Sequence, residues 1–251
     1  MNEIVYRKSK GLTAAPLSYC PGCTHGIVHK LVAEALVELG VLEKAVGIAS
    51  VGCSVLSYNF FNCDMVQAAH GRACAVATGI KRARPEAVVF SYQGDGDLAS
   101  IGIAETIHAA NRGENLTVIF INNAIYGMTG GQMAPTTLIG QKTTTSPQGR
   151  DKTLHGLPIR IAEIFSEIPR AVHVERVSVH NPRAVRNAKK AILKAFRNQI
   201  EGKGFSLVEV LSTCPVNWGM TPVQALEWVE REMMRYYPVK VFRDGEDYEK
   251  A

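Results

Sequence analysis

The chain has 251 residues, 46% hydrophobic and 20% charged, with 22 Gly, 11 Pro, six Cys and a net charge of +5. That composition excludes collagen-like, mucin-like and disordered classes, and the length allows one large α/β domain or two small ones. The mild positive charge makes no case for nucleic acid, though it would suit an acidic protein partner.

No apolar run approaches the roughly 18–20 residues of a membrane-spanning helix. Residues 1–8 lack the apolar core of a signal peptide, so the expected location is cytoplasmic. After a polar lead, residues 24–39 read as a helix. Ile27, Val28, Leu31, Val32, Ala35, Leu36 and Leu39 recur at helical spacing, with Thr24 as candidate cap and Gly40 as stop. Residues 45–51 read as a buried strand running into Gly52-Cys53-Ser54. An Ala-rich stretch, residues 65–82, predicts a second helix capped by Asp64 and closed by Pro85. That helix would carry His70 on a face with Ala69, Ala73 and Ala77. Residues 87–92 form the next expected strand, ending in Gly94-Asp95-Gly96-Asp97, before a helix over 98–111. The strand at 116–121 ends in Asn122-Asn123.

From 124 to 153 the periodicity vanishes among Gly, Thr, Gln and Pro, and so long a polar loop within a compact domain points to function. Residues 158–168 then read as a helix, 171–179 as a strand, and 182–199 as a helix with Pro182 in its first turn. Residues 205–211 make another buried strand, leading to Ser212-Thr213-Cys214-Pro215, and 222–236 a last helix. Strands and helices alternating over short links predict an α/β fold: a parallel sheet with helices on both faces. With no repeat and no linker, residues 1–251 read as one domain, its core at about 18–219 and a C-terminal helical extension at 220–251.

The six cysteines are Cys20, Cys23, Cys53, Cys63, Cys74 and Cys214. A reducing compartment opposes a disulfide framework, and Cys74 on an apolar face is ordinary packing. Cys20-Pro21-Gly22-Cys23 differs, because two thiols three apart in a Pro/Gly turn can converge on one metal or on each other. A thioredoxin-type pair should open a helix straight after a strand, and structural zinc usually recruits a second close pair. A CxxC with two distant thiols is compatible with an iron–sulfur cluster.

Ligands of open parallel sheets bind where strand C-termini meet. Four unusual segments follow expected strands: those at Gly52-Cys53, Gly94-Asp95-Gly96, Asn122-Asn123 and Cys214-Pro215. Asp95 and Asn123 are separated by one turn, one helix and one strand, which can bring both to the same sheet edge. A carboxylate and an amide oxygen are hard ligands of the kind Mg²⁺ accepts. Gly94 and Gly96 leave room for a phosphate. The physical reading is a Mg²⁺–diphosphate site.

Gly94-Asp95-Gly96 followed after 25 residues by Asn122-Asn123 resembles the thiamine-diphosphate motif. Cys20-Pro21-Gly22-Cys23, Gly52-Cys53-Ser54, His70-Gly71-Arg72, the segment 126–132 and the segment 214–219 occur in the order found in β subunits of 2-oxoacid:ferredoxin oxidoreductases. The resemblance covers about 18–219 and is nearest to the branched-chain, 2-oxoisovalerate type, on the stretches 68–72 and 126–136.

The resemblance implies that Asp95 and Asn123 ligate Mg²⁺ through side chains and Ile125 through its carbonyl. It places Gly94, Gly96 and Asp97 along the diphosphate of thiamine diphosphate, wrapped by Tyr126, Gly127, Met128 and Thr129, with Gly52 and Cys53 beside it. Cys20, Cys23, Cys53 and Cys214 are the implied ligands of a [4Fe-4S] cluster, leaving Cys63 and Cys74 structural, although Cys63 competes with Cys53 on spacing alone. His70 could be a hydrogen-bonded core histidine; the match to the family's HGR motif implies instead a catalytic place near the thiazolium and substrate, as a donor to a developing oxyanion. Arg72 could make only a structural ion pair. Met128, where pyruvate-type members often carry Asn, favours a bulkier or more apolar acyl chain, or merely packs. His25 and His29 share a helix near the first thiols and are not assigned as ligands.

The implied reaction is oxidative decarboxylation of a 2-oxoacid, with coenzyme A taking the acyl group and ferredoxin the electrons. An α subunit would supply the pyrimidine-side glutamate, for which this chain has no home, alongside γ and ferredoxin-like δ subunits; no nucleic acid or membrane is involved. Two other readings stand beside it: a non-redox thiamine-dependent decarboxylase or synthase subunit, and a structural or regulatory subunit with a vestigial site. Branched-chain, aryl and 2-oxoglutarate substrates are all open. The basic helix from Arg183 to Arg197 reads as a solvated face, with docking of an acidic carrier or sister subunit as the minority alternative.

Overall fold

A computed structural model describes residues 6–245. Runs of β-branched and aromatic residues form β1 (Ala45–Ala49), β2 (Asp64–Gln67), β3 (Val88–Gly94), β4 (Thr117–Asn122), β5 (Ala171–Ser178), β6 (Phe205–Leu211) and β7 (Lys240–Asp244). The helices are α1 (His25–Glu38), α2 (Ala73–Ala83), α3 (Ile103–Asn111), α4 (Lys152–His155), α5 (Ile161–Ser166), α6 (Pro182–Ile200), α7 (Pro215–Trp218) and α8 (Pro222–Trp228). The strands make one sheet in the order β2-β1-β3-β4-β6-β5-β7, and every neighbouring pair is parallel except β5–β7.

Central strands are buried on both faces, so they read as continuous apolar runs. Phe90, Tyr92, Ile119, Ile121, Val208 and Val210 pack with Leu36 of α1 and Phe196 of α6. Their alternating neighbours Val89, Val118, Phe120 and Leu207 pack with Cys74 of α2 and Phe165 of α5. Each such fully buried side chain contributes roughly 1.5–3 kcal/mol of transfer free energy. From β1 the chain moves outward to β2, while β3 and β4 lie on the other side of β1. This reversal is the switch point at which ligands bind in open sheets. The strands β1, β3, β4 and β6, whose ends carry the four unusual segments, are consecutive neighbours.

Several expectations are corrected. The helix expected over 65–82 is instead the edge strand β2, a turn, and α2 beginning at Ala73. Gly71 breaks the Ala-rich run with a φ of 76°, and Asp64 pairs with Val46 of β1 rather than capping anything. His70 therefore sits in a turn and not on a helix face. Thr24 makes no cap hydrogen bond; its hydroxyl is spent on Ser212, at 2.6 Å. The expected 98–111 helix opens with a π turn (Asp97–Ile101) before α3. The extension is not wholly helical: α8 passes through a π turn (Val229–Met233) to Met234–Tyr236, and β7 then adds antiparallel to β5. Among the described residues, no helix is long and apolar enough to cross a membrane.

Candidate functional site

A cavity of about 370 Å³ opens at the C-terminal ends of β1, β3 and β4. Its wall includes Gly52, Cys53, His70, Gly94, Asp95, Gly96, Asn123, Ile125, Tyr126, Gly127, Met128 and Thr129, so one space gathers nearly every residue the motifs nominated. Ser54, Ser100, Ile101 and His25 join them, and these four were not foreseen as lining residues. Ile101 and Met128 stay about half exposed and form an apolar flank.

Asp95 is buried, and burial pushes its carboxyl up to about 7, against the pull of hydrogen bonds from Thr136 and the Asn123 N–H. The Asn123 N–H donates to Oδ1 at 3.1 Å, and the Thr136 hydroxyl donates to Oδ2. Thr136 lies in the aperiodic loop, and no spacing signal could have found it. The Asn123 Oδ1 is buried with no hydrogen-bond partner. An orphaned buried oxygen is costly unless a cation or donor meets it. This oxygen beside a carboxylate suits a hard divalent ion.

Asn122, the first Asn of the pair, serves the turn. Its Oδ1 accepts from Ala124 N at 3.2 Å, and Ala124 takes a φ of 55°, rare for a residue with a Cβ. Its Nδ2 donates at 2.7 Å to Glu209, a fully buried carboxylate paired with Arg176 Nε at 2.9 Å. The turn that aims Asn123 and Ile125 into the cavity is thus anchored to β6.

Asp97, expected along the diphosphate, does not line the cavity. It is 1% exposed, and its oxygens accept from His70 Nδ1 (2.8 Å), Gly71 N (2.7 Å) and Gln93 Nε2 (2.8 Å). Asp97 starts the π turn and lies buried outside the cavity lining, while His70 stands on the wall. Arg72 pairs with Glu105 of α3.

Four thiols gather behind the cavity. A Cβ added to Gly127 would lie 3.3 Å from both the Cys53 and Cys214 Sγ atoms, so those thiols sit within about twice that distance of each other. Burial raises Cys23 to about 12 and Cys53 to about 11, and it also raises Cys214; the neighbouring thiols push each further, Cys20 among them. Cys63 answers instead to Asp64, and Cys74 to Asp97, so neither belongs to the group. The distant segments are tied by hydrogen bonds from Thr213 N to Thr24 Oγ1 (3.1 Å) and from Thr213 Oγ1 to Gly22 O (2.7 Å). Gly22 packs so tightly on Pro222 of α8 that a Cβ there would come within 2.6 Å. Asn217 Nδ2 bridges Cys214 Sγ (3.2 Å) and Gly127 O (2.9 Å). Among the described residues, no three Cys, His, Asp or Glu side chains converge on a single-ion site.

His25 and His29 lie beside this group. His25 Nδ1 meets the Tyr92 hydroxyl at 2.8 Å, and burial lowers the ring to about 4, so it is neutral at pH 7. His29 is linked through Tyr19 to the Cys53 backbone, the Tyr19 hydroxyl sitting 2.8 Å from Nε2 and donating to Cys53 O at 3.1 Å.

A switch-point cavity with a carboxylate, an orphaned amide oxygen and room for a diphosphate defines a thiamine-diphosphate-type domain. The family model "Thiamine pyrophosphate enzyme, C-terminal TPP binding domain" matches residues 50–210. Ketoisovalerate oxidoreductase subunit VorA of Methanothermobacter thermautotrophicus is 52% identical over 96% of this chain and 50% of its own length. 2-Oxoglutarate synthase subunit KorB of Methanocaldococcus jannaschii is 42% identical over 81% of this chain and 72% of its own. A solved 2-oxoglutarate:ferredoxin oxidoreductase from Magnetococcus marinus, with 2-oxoglutarate, coenzyme A and succinyl-CoA bound, superposes with a TM-score of 0.76 at 26% identity. That match covers 96% of this chain and 86% of the other. The chain belongs to the thiamine-diphosphate-binding subunits of the 2-oxoacid:ferredoxin oxidoreductases. It spans about half the length of the ketoisovalerate relatives it matches.

Proposed function

We propose that this chain, folded as one domain, is the cofactor-carrying subunit of a cytoplasmic oxidoreductase that decarboxylates a branched 2-oxoacid such as 2-oxoisovalerate. In this reading coenzyme A takes the acyl group and ferredoxin the electrons. The observation that carries it is the single residue Gly127, which lines the cavity on one side and abuts the Cys53 and Cys214 thiols on the other. A thiamine site and an electron exit would then share one wall.

Asp95 and Asn123 would hold Mg²⁺ through their side chains, with Ile125 beside them, and Gly94 and Gly96 would admit the diphosphate. Cys20, Cys23, Cys53 and Cys214 would hold a [4Fe-4S] cluster through four thiolates. When bound, thiamine diphosphate supplies the electron sink for CO₂ loss and the cluster a one-electron exit. The chain's own residues do the rest. Ile101 and Met128 offer an apolar flank to the acyl side chain, and His70 faces the substrate. Asn217 orients Cys214 and the Gly127 carbonyl together. A sister α subunit would bring the glutamate against the pyrimidine, with γ and ferredoxin-like δ subunits completing the complex. The 52% identity to a ketoisovalerate subunit, against 42% to a 2-oxoglutarate one, supports the branched-chain substrate.

Iron and acid-labile sulfide in the anaerobically purified complex test this reading, with rates on a panel of 2-oxoacids. It expects Cys53→Ser and Cys214→Ser each to remove about four of each per chain from the complex, and fastest turnover with branched 2-oxoacids. An active complex without iron would favour a non-redox thiamine enzyme.

A further inference from the structure

We infer that Asp97 is a positioning residue for His70, fixing the imidazole with its proton on Nδ1 and leaving the Nε2 lone pair toward the cavity as a proton acceptor. The inference rests on the cavity being the 2-oxoacid site. The buried hydrogen bonds run in one direction. The Ser91 hydroxyl donates to Gln93 Oε1 at 2.8 Å, and the Cys74 thiol does so at 3.3 Å. A carboxylate offers only acceptors, so the Gln93 atom 2.8 Å from Asp97 Oδ2 is the Nε2 donor, and Oε1 faces Ser91 and Cys74. Asp97 then receives that N–H, the Gly71 N–H at 2.7 Å and the His70 ring at 2.8 Å. A carboxylate only accepts, so His70 Nδ1 must be the protonated nitrogen.

The backbone keeps this register. A Cβ on Gly102 would lie 2.4 Å from Asp97 O and 2.7 Å from Gly71 O, so the His70 turn and the π turn are keyed into each other. Gln93 and Asp97 are buried, while the His70 side chain is 42% exposed, and the ring lines the cavity. A half-exposed ring without Asp97 would sample other rotamers and both tautomers. In its singly protonated form the ring so held presents an acceptor at Nε2, not the donor that an oxyanion partner needs. When an O–H or S–H group of a ligand bound in the cavity gives up its proton, that bond breaks, the Nε2–H bond forms, and the resulting imidazolium is stabilised by Asp97 until the proton returns.

The test labels the full chain with ¹⁵N-histidine and records long-range ¹⁵N–¹H correlations at alkaline pH, assigning His70 by its loss in His70→Gln. The expected pattern is a protonated Nδ1 with a pyridine-like Nε2, shifting toward the Nε2–H form in Asp97→Asn. In the assembled complex, Asp97→Asn should lower kcat by about 10²–10⁴-fold. Its KM should stay within about threefold, and the double variant should be no slower than His70→Gln. A wild-type ring protonated on Nε2 overturns the inference, whether or not any variant folds. So does an unchanged tautomer in Asp97→Asn, or additive losses in the double variant. Thiamine-diphosphate binding measured on the assembled complex separates the two claims. No binding with the expected tautomer refutes the reading of the cavity, and binding with the wrong tautomer refutes only the role of Asp97.

Discussion

A carboxyl buried at the end of β3 would be ionised at neutral pH in water, yet burial raises Asp95 to about 7. Each unit of such a shift corresponds to about 1.4 kcal/mol. The folded chain without a cation therefore holds a proton that the unfolded chain releases near pH 4. The stability this brings is complete below that value and is lost as pH rises through about 7. With magnesium chelated, Asp95→Asn should melt above the wild type at pH 8, and the gap should close toward pH 4. A gap that widens on acidification would contradict the burial account. The meeting of Asp95 and Asn123 at the cavity was legible, because their spacing sets both at the ends of neighbouring strands. Thr136 was not, because a hydroxyl reaching back from an aperiodic loop leaves no pattern. Asp97 was misplaced for a related reason: adjacency to Gly94-Asp95-Gly96 says nothing about which side of the π turn its carboxylate takes.

Among the elements, the segment after β2 shows where periodicity fails. An Ala-rich run satisfies a helical pattern without distinguishing a core face, and only the positive φ at Gly71 marks the break. The same turn explains why glycine stands at Gly102, where the two turns touch. Gly102→Ala should lose about 1–3 kcal/mol of stability by overpacking, read from the urea midpoint, with the His70 resonance displaced. A midpoint unchanged from wild type would show that the turns are not keyed. The long polar loop drew notice by its length, and it brings Ile125, Tyr126, Gly127, Met128 and Thr129 to the cavity wall, but its organising residue was not visible. Arg150 is 5% exposed, and its guanidinium donates to the carbonyls of Ala134, Pro135, Thr137, His155, Gly156 and Leu157. Thr136 is held against Asp95 by this knot.

At the scale of the molecule, the α/β class and its parallel sheet were legible, because alternating buried strands and amphipathic helices permit little else. The strand order was not. That β1, β3, β4 and β6 are neighbours depends on crossover direction, which no local pattern records, and β7 is too short an edge to announce itself. The basic helix α6 is partly internal wiring: Lys189 pairs with Glu34 and Glu38 of α1, and Lys194 with Asp244 of β7. The buried Arg176–Glu209 pair links β5, β6 and the Asn122 turn. Removing one partner strands the other charge, so Arg176→Ala should cost about 3–5 kcal/mol and lower the melting temperature markedly. A drop no larger than that of an exposed arginine would refute the link.

The central claim is that the cavity between β1, β3 and β4 holds thiamine diphosphate through a magnesium ion on Asp95 and Asn123. Calorimetric titration of thiamine diphosphate into the assembled complex addresses it most directly. Binding should require Mg²⁺, vanish on chelation, and fall at least about tenfold in Asn123→Ala. Binding indifferent to Mg²⁺ and to Asn123→Ala, or no binding at all, would contradict it.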